Sequence, residues 1–294
     1  MIDQFINYLR NERNYSEQTI SYYETTNVEF QSYFTFLDST LSWATVDKDV
    51  VRMWMESLMD QGEAAGTVNK KLSALRTFYK YLMRKGVVTV NPMSTIKGPK
   101  KEKPLPVFVR ENEMNRLLDI PMDEGEPTYE AVLARTIVLM LYETGMRRGE
   151  FLSLRDRDID FINKQIKVTG KRDKQRIIPF GEELEQAVKG YVALRDEKFP
   201  NHPDCFLINK KGNMMSVGEF YTIVRAQLSL VTTIKKRSPH VLRHSFATAM
   251  LNNGANLESV QKLLGHASLE TTQVYTHTTF EQLKRAYKDA HPRD

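Results

Sequence analysis

One cysteine in 294 residues leaves no partner for an intrachain disulfide and no set of thiolates for a metal cluster. That residue opens the apolar stretch Cys205-Phe206-Leu207-Ile208, which suits a reducing, cytoplasmic setting. No segment approaches the run of about 18 apolar residues that a membrane span needs. Asp3 lies where a signal peptide would carry positive charge, so neither secretion nor membrane insertion is expected. The patterns G-x-x-x-x-G-K-[ST], G-x-G-x-x-G and H-E-x-x-H are also missing. Nucleoside triphosphate use, a dinucleotide cofactor and zinc-protease chemistry therefore find no support.

What is present is 41% apolar residues, enough for two domains with cores of their own. The net charge of +5 is unevenly spread: residues 1–63 hold four basic and eleven acidic side chains, residues 64–101 nine basic and none acidic. Such asymmetry is expected of a helix facing a polyanion, the competing reading being a solvated face balanced in space by the acidic segment.

Helical spacing predicts a helix after Ser16, carrying Ile20, Tyr23, Phe30, Phe34 and Leu37, and another after Asp47, carrying Val50, Val51, Trp54, Leu58 and Met59. Thr67 is the expected cap of a third, Val68 to Lys85, stopped by Gly86. Its buried stripe would be Leu72, Leu75, Phe78, Tyr79 and Leu82, leaving Lys70, Lys71, Arg76, Lys80, Arg84 and Lys85 outside. Residues 97–106, rich in lysine and proline, read as a linker between domains 1–96 and 107–294. Beyond it, helices are expected at 111–118, 128–144, 181–198, 217–230, 239–252, 257–264, 269–276 and 279–290. Strands are expected at 165–169 and 176–180, around a basic hairpin tip.

Three segments carry chemistry. In Ser238-Pro239-His240-Val241-Leu242-Arg243-His244, proline starts a helix and His240, Arg243 and His244 fall at i, i+3 and i+4, with Leu242, Phe246, Ala249 and Met250 turned to the core. Cations so grouped call for an anion, and a phosphate is the obvious one. Thr144-Gly145-Met146-Arg147-Arg148-Gly149-Glu150 places an arginine pair after a helix stop, and Leu263-Leu264-Gly265-His266 is followed nine residues on by Tyr275. A zinc site from His240, His244 and His266 would lack any carboxylate or cysteine ligand at standard spacing. The acidic run Asp156-Arg157-Asp158-Ile159-Asp160 follows an expected helix that ends near Leu154 and should serve turns and caps, a two-metal site being its rival. No metal and no cofactor is expected.

In this order, Thr-Gly-Met-Arg, a hairpin lysine, His-x-x-Arg, Leu-Gly-His and then Tyr, the second domain resembles the tyrosine recombinase (phage integrase) family. The ending Tyr287-Lys288-Asp289-Ala290-His291-Pro292-Arg293 is similar to that of its Xer branch. Arg148-Gly149 departs from that branch, where a less basic residue is usually followed by Ser or Ala, and Met146 replaces the commoner Leu.

The resemblance implies a mainly α fold: a four-helix SAM-like domain, then a mostly helical catalytic domain with a small antiparallel sheet. It implies a site-specific recombinase that breaks and rejoins duplex DNA through a 3′-phosphotyrosine, without metal or ATP. By the same resemblance Arg147, Lys171, His240, Arg243, His266 and Tyr275 form the catalytic set, with Tyr275 as nucleophile, Lys171 as general acid and Glu150 supporting Arg147. Lys70, Lys71, Arg76, Lys80, Arg84, Arg148 and Arg172 are candidates for DNA contact. The implied partners are double-stranded DNA bearing a specific site and, in a homo- or hetero-tetramer, further copies or a sister recombinase, in the cytoplasm at the nucleoid. The apolar stripe Phe280, Leu283, Tyr287 and Ala290 either packs on its own domain or docks in a neighbour, and the family favours the neighbour. A type IB topoisomerase and a non-catalytic DNA-binding protein of the same fold are the alternatives.

Overall fold

The computed structural model describes residues 1–101, 107–121, 127–170, 174–265 and 286–291. The chain divides into two units, Met1–Pro104 and Leu105–Asp294.

The first unit contains four helices, α1 (Ile2–Asn11), α2 (Glu17–Leu37), α3 (Lys48–Asp60) and α4 (Ala65–Arg84). Ser16 precedes α2, and Asp47 caps α3, its Oδ1 accepting from the amides of Asp49 and Val50 at 2.9 and 3.0 Å. The expected cap at Thr67 is displaced. Ala64 and Ala65, strong helix formers, start α4 earlier, and the Ala64 carbonyl already accepts from the Thr67 amide. Gly86 ends the helix with φ of 70°. The predicted stripe Leu72, Leu75, Phe78, Tyr79 and Leu82 is buried, and the core is aromatic, with Trp43 set edge-on to Phe78 at 4.6 Å.

On the other face of α4, Lys70, Lys80, Arg84 and Lys85 are exposed as expected. Lys71 is not. It is buried, with Nζ donating to Glu29 at 2.7 Å and to Glu63 at 2.6 Å, so at this position the acidic segment does neutralise the basic helix. Burial would lower its pKa, but the two carboxylates outweigh burial and raise it. Arg76 is half-buried and donates to the Ile96 carbonyl at 2.7 Å, while Asn69 donates to that of Pro99 at 2.8 Å. The chain leaving this unit therefore runs back along α4.

The second unit is built around α6 (Tyr129–Thr144), which is buried over almost its whole length. Around it pack α8 (Glu182–Lys198), α9 (Val217–Ser229) and α10 (Pro239–Asn252), with α5 (Glu111–Leu118), α7 (Arg148–Leu152) and α11 (Leu257–Leu264) completing the described helices. The sheet is antiparallel in the order β1 (Ile159–Asp160), β2 (Gln165–Thr169) and β3 (Gln175–Pro179). Strand β1 is too short to show periodicity and was not expected from the sequence, whereas α7 is the helix expected ahead of the acidic run and ends at Leu152, two residues before Leu154. Strand β3 begins one residue early because Gln175 pairs with Thr169. The hairpin closes with Gly170 N donating to Lys174 O at 2.8 Å.

Each carboxylate of the acidic run has a structural partner. Asp156 accepts a fork from the fully buried Arg195 at 2.8 and 2.7 Å. Asp158 accepts from the Arg155 amide, and Asp160 from the amides of Ile162 and Asn163. Among the described residues, no group of three or more His, Cys, Asp or Glu side chains could hold a metal ion.

The helices predicted at 269–276 and over most of 279–290 lie outside the described residues. Residues 286–290 are helical, and Tyr287 and Ala290 are buried against Phe246, Met250, Val260, Leu263 and Leu264 of the same chain. Tyr287 donates to Glu143 at 3.3 Å and stacks on His291 at 4.7 Å. In the single chain this stretch covers its own domain, not a neighbour's, because the apolar side of α10 and α11 would otherwise face water.

Helix α6 ends at Gly145 with φ of 57°, a conformation that costs other residues about 1–3 kcal/mol. A Cβ there would also run into the Phe246 ring and come within 2.9 Å of Leu264. We expect Gly145→Ala to destabilise the chain by at least about 2 kcal/mol, read as a lower urea midpoint. A midpoint shift worth less than about 0.5 kcal/mol would contradict this account of the glycine.

Candidate active site

The left-handed turn at Gly145 throws the chain out of α6, and Met146 is buried, so Arg147 emerges at the foot of the core's central helix. Three residues on, Glu150 in α7 is only 5% exposed. It accepts from Arg147 twice, from the amide to Oε2 and from Nη1 to Oε1, both at 2.8 Å. Arg176 of β3 forks onto the same carboxylate at 2.8 and 2.9 Å. Burial would raise the Glu150 carboxyl, but hydrogen bonds from Arg176 and then from Arg147 outweigh it and hold the group down at about 2.

The three arginines of the site also hold the last turn of α11. Arg176 Nε donates to Leu263 O at 2.6 Å, Arg243 Nη2 to Leu264 O at 2.6 Å and Arg147 Nη2 to Gly265 O at 2.9 Å. These carbonyls form the negative end of the helix dipole, which favours cations there. Arg243 also donates to Gly145 O at 2.7 Å, so it ties the ends of α6 and α11 together. Gly265 turns left-handed at φ of 61°, and a Cβ on it would lie 3.0 Å from the Arg176 side chain. The glycines of Thr-Gly-Met-Arg and Leu-Gly-His are thus both needed where the chain turns and where a neighbour passes close.

Helix α10 begins at Pro239 after Ser238, as its sequence suggests. Its three basic positions separate: Arg243 is buried, whereas His240 and His244 are exposed. Desolvation, then the positive charges of Arg148 and Arg243, lower the pKa of His240, which favours the neutral imidazole. Burial, then Arg147 and Arg176, pull Arg243 down to about 10 against the opposing pull of Glu150, so it stays charged at neutral pH. Arg148 lies with its guanidinium 5.3 Å from the centre of the Tyr221 ring.

The structure thus brings together Arg147, Glu150 and Arg243, with His240 and Arg148 beside them. Lys171, Arg172, His266 and Tyr275 lie outside the described residues. By chain connectivity, Lys171 directly follows Gly170 at the close of the hairpin, and His266 directly follows Gly265. Arg176 was not singled out from the sequence. Its one signal there is a lone cation in a strand that continues Ile177-Ile178-Pro179. Two guanidiniums share one carboxylate, the third, Arg243, is held by main-chain carbonyls alone, and Arg147 keeps its side chain 40% exposed, so the cluster retains positive charge open to an anion.

This buried arginine frame at the foot of a central helix agrees with what sequence comparison finds. Residues 107–282 match the phage integrase family and residues 2–86 match the phage integrase N-terminal SAM-like domain. The chain belongs to this family, that of the tyrosine recombinases. It is 34% identical over 295 residues to tyrosine recombinase XerD of Oceanobacillus iheyensis, covering 99% of this chain and 98% of that one. To tyrosine recombinase XerC of Pediococcus pentosaceus it is 37% identical, covering 100% and 98%. Among solved structures it is similar to XerH site-specific recombinase bound to difH substrate in a pre-cleavage complex, with a TM-score of 0.70 and 25% identity over 97% of this chain and 84% of that one. These relatives are named as recombinases and do not favour the topoisomerase alternative. Among the described residues, no helix is long and apolar enough to cross a membrane.

Proposed function

We propose that this chain is an Xer-type site-specific recombinase that cleaves and rejoins duplex DNA through a 3′-phosphotyrosine. The observation that carries the reading is the frame of Arg147, Arg176 and Arg243 around Glu150 and the last turn of α11, in a chain related to Xer recombinases along its whole length. In this reading residues 1–96 bind DNA, 97–106 link, and 107–294 carry the chemistry. Lys70, Lys80 and Arg84 face phosphates, with Arg148 and Arg172 as further contacts, and counterion release supplies most of the affinity.

The Tyr275 oxygen attacks the phosphorus, its proton passes to water, and the bond from phosphorus to the 5′ oxygen breaks. A phenol with a pKa of about 10 is mostly protonated at neutral pH, and the positive field of Arg147 and Arg243 favours its ionisation. Their planar forks also hold the non-bridging oxygens, where each well-placed donor contributes about 3–4 kcal/mol in comparable sites. Lys171 gives its proton to the departing 5′ oxygen, a contribution of about 10²–10⁴-fold, and is reprotonated by solvent. His266 donates to a non-bridging oxygen, and neutral His240 helps hold the phosphate.

The new ester conserves the energy of the broken diester, so attack by a 5′-hydroxyl from a partner duplex completes strand exchange. Exchange between two duplexes breaks four strands in all, which supports a tetramer of this chain, alone or with a sister recombinase, acting on DNA at the nucleoid. The XerH relative was solved on its difH substrate, which supports a specific duplex site here too.

The test uses nicked duplexes, selected from a random-sequence pool by covalent capture on the full chain, in the presence of a chelator. The wild type should give a denaturation-resistant protein–DNA adduct and Tyr275→Phe none. Capture failing for the wild type despite binding, or persisting in Tyr275→Phe, would overturn the reading.

A further inference from the structure

The geometry points to Arg176 as a positioning residue for proton delivery to the leaving 5′ oxygen. The inference rests on the recombinase reading above. Arg176 sits at the root of the β2–β3 hairpin, directly after the pair of Gln175 with Thr169 and two residues after Lys174, whose carbonyl closes the loop onto Gly170. From there it makes three hydrogen bonds out of its own sheet: two to Glu150, which also holds Arg147, and one to the Leu263 carbonyl at the end of α11.

Glu150 meets the other side of the hairpin as well, since a Cβ on Gly170 would lie 3.2 Å from Glu150 Oε1. One carboxylate therefore binds both Arg147 and the first arginine after the tip, and it lies close to the last residue before Lys171. The paired root of the hairpin that carries Lys171 is tied to the carboxylate that holds Arg147 through Arg176. The point at which it departs toward His266 is set by the same guanidinium through Leu263 and the close approach to Gly265. Arg176 is largely buried, with a side chain 14% exposed, and its fork is spent on protein acceptors, so it acts through its neighbours and does not itself touch the phosphate.

A lysine or glutamine at this position would leave the hairpin paired along its strands but unpinned at its root. An error of about 1 Å in a proton donor's place is enough to cost on the order of 10²-fold in rate. The chemical step itself is unchanged: phosphorus gains the tyrosine oxygen, loses the 5′ oxygen, and that oxygen takes a proton from Lys171.

The test compares the selected duplex in two forms, one with the natural 5′ oxygen at the scissile phosphate and one with sulfur in its place. A thiol ionises near pH 8.5, so the sulfur leaves as thiolate and needs no proton donor. On the oxygen substrate Arg176→Gln should form adduct about 10²-fold more slowly than wild type, and Lys171→Ala at least as slowly. On the sulfur substrate both should return to within about threefold of wild type. If Arg176→Gln stays slow on sulfur, or if Lys171→Ala does, the assignment is wrong and Arg176 serves folding or phosphate binding. Arg176→Lys, which keeps the charge but loses the fork, provides the same comparison if the glutamine variant does not fold. Failure of the wild type on both substrates would instead bring down the recombinase reading, and this assignment with it.

Discussion

Glu150→Gln is expected to unfold at a midpoint on the order of 10 °C below the wild type and to lose at least about 10²-fold in adduct formation. Among the described residues the carboxylate is the one acidic partner of both Arg147 and Arg176, and it is almost fully buried. Removing one member of such a cluster leaves charge buried without compensation and costs about 3–5 kcal/mol. The amide keeps the shape but offers one acceptor oxygen where there were two, and its NH₂ faces donors.

The pH dependence carries a definite sign. The folded carboxyl lies at about 2, below its ordinary 4.5, so its contribution to stability is complete above pH 4.5 and is lost as pH falls through 2. That contribution is on the order of 3 kcal/mol, and roughly half or more of it is gone by pH 3. The gap in urea stability between wild type and Glu150→Gln should therefore close between pH 5 and about pH 2. A gap that stays constant from neutral pH down to about pH 3 would show that Glu150 does not hold the cluster as an anion.

Arg243→Ala is expected to reduce adduct formation by about 10³-fold or more, the larger loss in activity of the two. Arg243 is 7% exposed, and its guanidinium spans the Gly145 and Leu264 carbonyls. Truncation leaves both acceptors unpaired at about 1–3 kcal/mol each and removes a transition-state donor. Arg243→Lys keeps a charge but cannot reach both carbonyls in a plane, and should still lose about 10²-fold. Binding to duplex DNA, carried by many phosphate contacts, should weaken far less than cleavage, about tenfold or under, in a gel-shift titration at fixed salt. Equal losses in binding and cleavage would mean that Arg243 acts on affinity alone.

Much of this was legible in the amino acids because it is decided locally. The helices at 111–118, 239–252 and 257–264 have the ends their caps and periodicity predict, and Gly145 and Gly265 mark the two turns of the site. The grouping of Arg147, Glu150 and Arg243 followed from the order of motifs and from a family resemblance. Strand β1 escaped notice because two residues carry no period, and α4 starts earlier than expected because the high helix propensity of alanine carries its start without a side-chain cap.

By itself, then, the sequence determined which segments are helical, where the hairpin lies and which motif each turn delivers, since hydrogen bonds within a helix and the residues that cap it are neighbours in the chain. Only the tertiary structure decided which cations are free and which are spent. Lys71, indistinguishable in sequence from Lys70, is neutralised by Glu29 from forty-two positions away. Arg176 joins Glu150 across 26 positions, Arg147 reaches Gly265 across 118, and residues 286–291 cover their own domain. Such pairings depend on which surfaces the packed cores bring face to face, and no local pattern of residue types encodes that distance.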